Sequence, residues 1–190
     1  MKRPARTTLD HVAQAVARFR RDASGVAAVE FSLVALPFFF VLMAMIETAL
    51  ATTAGVMLNN AVNSAARGVM TGSVQKSDMD ADGFRRLICG DIDMMMSCDR
   101  LVLDMRTFPA GSPIPTSVAL RDGAVDSENF CFDPGGQDTI TVIRAYYPWP
   151  WVTSILNGFA EDTNGNAILG SMAAFMNEPF GGATSTKANC

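Results

Sequence analysis

The sequence predicts an α+β protein in which one long N-terminal helix is followed by a small antiparallel sheet domain. Three observations carry this. The chain is 49% hydrophobic, and the excess is concentrated between Val26 and Leu58. Beyond residue 100, short runs of β-branched and apolar residues are separated by Pro- and Gly-containing turns, as in a small sheet. Charge divides the chain in the same order. Lys2, Arg3, Arg6, Arg18, Arg20 and Arg21 stand against only Asp10 and Asp22 in residues 1–24, while the remainder is strongly acidic. Three parts follow: a basic leader at 1–25, a transmembrane and then emerging amphipathic helix at 26–72, and an α+β domain at 73–190.

Residues 31–46, FSLVALPFFFVLMAMI, carry no charge. A spanning helix takes ~20 apolar residues at about 1.5 Å rise each, and residues 26–46 supply that length with Glu30 inside it. Pro37 removes one backbone donor and predicts a kink, which transmembrane helices accommodate. The apolar side chains point to every face, which argues against a buried core helix. The stretch is longer than the apolar part of a cleavable secretory signal, and a helical pattern continues after it. Basic residues flanking a span stay on the cytoplasmic side. Six precede this one and the next is Arg67, so the expected orientation is N-terminus in, body out.

Cysteine placement supports that orientation separately. Cys89, Cys98, Cys131 and Cys190 all follow the span, and an even number suits two disulfides in an oxidising compartment. Of the three pairings, the short loop favours Cys89–Cys98, leaving Cys131–Cys190. Zinc is disfavoured, because there is no CxxC pair and the single histidine, His11, lies in the leader.

The junction reads Arg20-Arg21-Asp22-Ala23-Ser24-Gly25, then Val26-Ala27-Ala28-Val29-Glu30-Phe31. A glycine after a basic leader, four small or apolar residues, then Glu and Phe is similar to the processing site of type IV prepilins and pseudopilins. Cleavage after Gly25 would make Val26 the first residue and Glu30 the fifth. A carboxylate within the apolar phase costs ~3 kcal/mol on insertion scales and generally has a partner. The new amino group of Val26, from the same or a neighbouring subunit, is the nearest candidate, so assembly would be coupled to processing. Gly25, lacking a side chain, suits a backbone that enters a protease groove.

The segment RFRRDASGVAAVEFSLVALPFFFVLMAMIETAL resembles the N-terminal domain of TadE-like proteins, the pseudopilins of tight-adherence (Tad) pilus systems. The similarity lies in the Arg-rich leader, the G-x-A-A-V-E-F core, the L-P-F element and a second carboxylate, Glu47, at the far end of the span. Weaker similarity continues through AARGVMTG, VIRAYYPWPW and AFMNEPF. The resemblance implies a pilin-like sheet domain and processing by a prepilin peptidase. It also implies a role as a minor pilin or pseudopilin needed to assemble an adhesive Tad (type IVb/Flp) pilus. Chain length favours TadE or TadF over the longer TadG. Implied partners are the inner membrane, the prepilin peptidase, other Tad pilins or pseudopilins, and the assembly machinery, with the body in the periplasm. A signal-anchored extracytoplasmic binding or sensor domain that never assembles is the alternative, and the two differ in what Glu30 does.

In the body, residues 48–70 continue the helix and become amphipathic, and Gly72-Ser73 is expected to end it. Residues 81–89 predict a short helix, 100–108 a strand, 109–115 a loop and 117–120 a short strand. Asp133-Pro134-Gly135-Gly136 predicts a turn, and 138–147 the clearest strand, stopping before Pro148. A helical turn is expected at 151–158 and, following the family pattern, a final strand at 167–176. Asp78-Met79-Asp80-Ala81-Asp82-Gly83 copies half of a calcium loop, but Cys89 replaces its essential bidentate carboxylate. That stretch and Glu161-Asp162-Thr163-Asn164-Gly165-Asn166 read as solvated loops. The aromatic cluster Tyr146, Tyr147, Trp149, Trp151 reads as packing rather than a membrane belt. No catalytic constellation, phosphate loop, cofactor motif or small-molecule site is expected, and the acidic body offers nucleic acid no positive patch.

Overall fold

The structure, a computed structural model, describes residues 14, 16–19, 25–109, 111–115, 120–121, 124–153, 164–182 and 185–190. The chain divides into two compact units, Met1–Met43 and Ala44–Cys190. Helix α1, Val26–Met70, is long and apolar enough to cross a membrane. It continues across Pro37. Its 26–43 part is exposed on nearly every face, as expected of a helix whose surroundings are lipid or other helices.

From Glu47 onward the same helix buries one stripe: Glu47, Ala51, Ala54, Leu58, Ala61, Val62, Ala65, Ala66 and Val69. Steps of three and four place these residues on one face. Most are alanine, which lets the helix axis approach its neighbours closely. α1 ends at Met70, two residues before the expected stop, in a Thr71-Gly72 turn. Gly72 has φ +76°, and a Cβ there would lie 2.3 Å from the Phe180 ring. Glycine is thus required both for the left-handed backbone and for the ring's approach. A one-turn helix α2, Ser73–Lys76, follows.

Helix α3, Ala81–Ile92, runs three residues past the expected end. The Asp80 side chain accepts from Gly83 N at 2.7 Å and caps it, the ordinary work of an N-cap aspartate. Its buried face is Phe84, Ile88, Cys89 and Ile92. A 3-10 turn at Cys98–Arg100 leads into strand β1, Val102–Phe108. A two-residue ribbon, β2 Leu120–Arg121 with β3 Ala124–Val125, precedes β4, Ile140–Pro150, and β5, Asn166–Met176. The main sheet is antiparallel in the order β1-β4-β5. The core joins the α1 stripe and α3 to the sheet through Leu101, Met105, Ile143, Ala145, Tyr147 and Ala173.

Several boundaries differ from expectation. β4 does not stop before Pro148. It is paired to β1 only as far as Tyr146, opposite Val102, and beyond that only to β5. The missing N–H groups of Pro148 and Pro150 are harmless on the flank that has no neighbour. A backbone turn falls at Gln137-Asp138, with Asp138 at φ +58°. In the expected stretch 133–136, Asp133 Oδ1 accepts Gly135 N at 2.9 Å and closes a side-chain turn. Gly135 there has φ +67°, and a Cβ would come within 2.4 Å of Thr139 Oγ1. Trp151–Thr153 is not helical, and the rest of the helical turn expected at 151–158 lies outside the described residues, as do residues 117–119 and 161–163.

Candidate functional site

The junction residues fall at the head of α1. Gly25 forms the turn, and its carbonyl accepts from Val29 N at 3.1 Å, so the helix begins at once. Nothing lies within 4 Å of the place a Gly25 Cβ would take. Val26 and Phe31 are exposed, as is Glu30. Glu30 stands one turn beyond Val26, on the same face of the helix.

Glu47 is held differently. It heads the buried stripe and is only 9% exposed. Its Oε1 accepts the backbone amides of Val152 and Thr153, at 2.7 and 2.8 Å. The carboxylate therefore caps the chain where it leaves β4. The spacing 47, 51, 54, 58 could have revealed this from sequence, because it places Glu47 in line with the alanines.

At the far end of the body, the AFMNEPF segment ties the sheet to the end of α1. Asn177 is 1% exposed. Its Nδ2 donates to the Pro134 and Gly136 carbonyls, both at 2.9 Å. Gln75 Nε2 donates to the same Pro134 oxygen at 2.9 Å. Glu178 N donates to Met70 O at 2.9 Å, and Phe180 lies over Gly72. Glu47 and Met70 thus mark two attachment points, one near the end of β4 and the other just past the end of β5. β5 runs alongside α1 in the same direction. The helix rises about 1.5 Å and the strand about 3.4 Å per residue, so both cover roughly the same distance between those points.

The four cysteines form two disulfides, Cys89–Cys98 and Cys131–Cys190. The first joins α3 to the turn before β1, and the second holds the C-terminal residues to the strap at 131–133 beside β1. Sequence reasoning missed the ion pair behind that strap. Asp104 is 1% exposed and accepts Arg144 Nη1 at 2.9 Å, Arg106 Nε at 2.8 Å and Cys131 N at 3.1 Å.

The aspartates of the 78–83 stretch have protein partners. Asp80 caps α3, and Asp78 accepts the Thr186 hydroxyl and amide at 2.8 and 2.9 Å. The Thr186 bonds, side chain first, hold the Asp78 carboxyl below its ordinary value against the opposing effect of burial, and Lys187 adds the least. Tyr146 and Tyr147 are core residues, while Trp149 and Trp151 are half-buried. Tyr147 accepts from Ser97 N at 3.0 Å, and Arg100 sits 5.4 Å from its ring centre.

No curated protein and no solved structure matches the chain. Residues 25–67, the junction glycine and all of α1 but its last turn, match the family model of TadE-like proteins, consistent with a TadE-like protein of the Tad pilus system.

Proposed function

We propose that this chain is a pseudopilin or minor pilin-like protein, required for assembly of an adhesive Tad pilus and processed by a prepilin peptidase after Gly25. The observation that carries the reading is that the TadE-like match begins at the junction glycine and follows α1. The basic leader is the removable part. α1 spans the inner membrane with its N-terminus cytoplasmic and its body periplasmic, where both disulfides persist. Glu30 is then the one carboxylate left among exposed apolar side chains at 26–46, and a cleaved Val26 supplies the amine it needs. Glu47 is instead bonded through its Oε1 to two amides of its own body. The partners on this reading are the peptidase, other Tad pilins or pseudopilins and the assembly machinery.

N-terminal sequencing of the mature protein tests this directly. The expected first residue is Val26, and a chain retaining Met1 or Lys2 in a host with active prepilin peptidase overturns it. Glu30→Leu should abolish pilus assembly while leaving an inserted protein. In a signal-anchored binding or sensor domain the same change would leave function intact.

A further inference from the structure

The uncharged run of α1 ends at Ile46, and Glu47 follows it. As a span, residues 26–46 rise about 30 Å, the thickness of the hydrocarbon core. Glu47 then stands at the outer boundary of the hydrocarbon. A span that began later along the chain would set it deeper still. The end of β4 is tied to the same level, because Glu47 Oε1 accepts Val152 N at 2.7 Å and Thr153 N at 2.8 Å. Glu47, Val152 and Thr153 all belong to the Ala44–Cys190 unit. Their common level therefore does not depend on how the helix below is inclined.

What β4 brings to that level suits a lipid surface. Tyr146-Tyr147-Pro148-Trp149-Pro150-Trp151-Val152-Thr153 carries no charge. Val152 is 90% exposed, Pro150 is exposed, and Trp149 and Trp151 are half-buried. Met45, Ile46 and Leu50 are exposed on the neighbouring turns of α1. Pro148 and Pro150 bring no N–H that would need water on the flank that β1 leaves free. β4 runs from the level of Met70, where Ile140 pairs with Met176, to that of Glu47. At 3.4 Å per residue, Trp149 lies about 7 Å farther from the hydrocarbon than Trp151. The headgroup layer is about 5–7 Å deep on each side of the core. One tryptophan thus meets the hydrocarbon boundary and the other the headgroups, where amphipathic aromatic rings concentrate. Tyr147, two residues farther, is back in the core of the body.

We propose that the tip of β4, Trp149–Val152, is a second membrane contact, seated in the headgroup layer beside the point where α1 leaves the hydrocarbon. The occupant of this exposed apolar tip is lipid, continuous with the lipid around the helix. The Glu47 bonds then have two effects. They hold the tip down, and they place two amides on a carboxylate at a depth where an unbonded one is costly. The inference rests on the membrane-spanning reading of α1 above.

Trp149 and Trp151 are the chain's only tryptophans, so their fluorescence reports on the tip alone. The full chain is reconstituted in phosphatidylcholine vesicles whose acyl chains carry bromine either near the glycerol or near the terminal methyl. Bromine near the glycerol should quench more strongly, by roughly twofold, with little quenching by aqueous acrylamide. Trp149→Phe, which leaves Trp151, should be quenched more than Trp151→Phe, which leaves Trp149. The wild-type comparison stands without these variants should either fail to fold. Emission reached by acrylamide alone, emission shielded from both quenchers as in a contact between copies, stronger quenching from the terminal methyl, or a reversed order of the two variants overturns the proposal. Flotation of the same vesicles after an alkaline carbonate wash reports insertion separately. A chain that floats without bromine quenching fails the tip contact alone. One that does not float fails the spanning reading, and the tip contact with it.

Discussion

Asp104 and Arg144 stand directly opposite each other on β1 and β4 and form an ion pair almost sealed from water, with side chains 1% and 11% exposed. Arg106 and the Cys131 amide complete the carboxylate's bonds, and Arg144 Nη2 donates to Pro115 O at 2.8 Å. Removing one partner of a buried pair strands the other's charge. Asp104→Ala should therefore lower unfolding free energy by about 3–5 kcal/mol, measured by urea denaturation. Replacing both residues by apolar ones of similar volume should recover much of the loss.

Glu47→Ala should leave the Val152 and Thr153 amides without their acceptor. Hydrogen bonds to a charged group contribute about 1.5–3 kcal/mol, and the expected destabilisation lies in that range. Hydrogen exchange at those two amides should accelerate, while exchange in β1 changes little. Glu47→Gln keeps one acceptor oxygen and should lose less.

The two disulfides should differ in worth. Cys89–Cys98 closes a short loop, whereas Cys131–Cys190 spans 59 residues. By loop-closure entropy the first contributes about 2.7 kcal/mol and the second about 4.3 kcal/mol. Paired Cys→Ser replacement at 131 and 190 should lower Tm more than at 89 and 98. Non-reducing peptide mapping should recover both linkages and no mixed ones.

Asp78 and Tyr146 set opposite limits of pH. The folded Asp78 carboxyl lies below its ordinary 3.8, so its stabilising contribution is complete above that value. It disappears as pH falls through the depressed one. In Thr186→Val the NMR titration of Asp78 should move back up. Tyr146 is pushed above its ordinary 10.0, chiefly by burial, with Arg144 opposing and Asp104 adding to the shift. Its contribution is complete below pH 10 and disappears as pH rises through the raised value. Absorbance titration should show a tyrosine ionising later than a free one, and Tyr146→Phe should remove that late step.

The long helix, β1 and α3 were legible because their patterns are local: apolar length, alternation, and Asp80 ahead of an amphipathic run. β5 was not legible in that sense. AILGSMAAFM lacks a period of two, and its conformation is set by eleven pairings with β4, so only the family resemblance suggested it. Pro148 misled the reading of β4, because proline's cost depends on which flank is paired. The role of Glu47 was readable as the first member of the alanine stripe. That of Asp104 was not, because its partner lies forty residues away on another strand.

The two attachment points on α1 make its upper half a fixed length. A residue inserted between Glu47 and Met70 would advance the helix by about 1.5 Å and turn everything beyond it by roughly 100°. Either the Val152 and Thr153 amides or the Glu178 amide would then lose its mate, and the alanine stripe would rotate out of contact partway along. One inserted below residue 44 would disturb neither clasp. Sequence length between the two clasps should therefore be nearly invariant among relatives with this body.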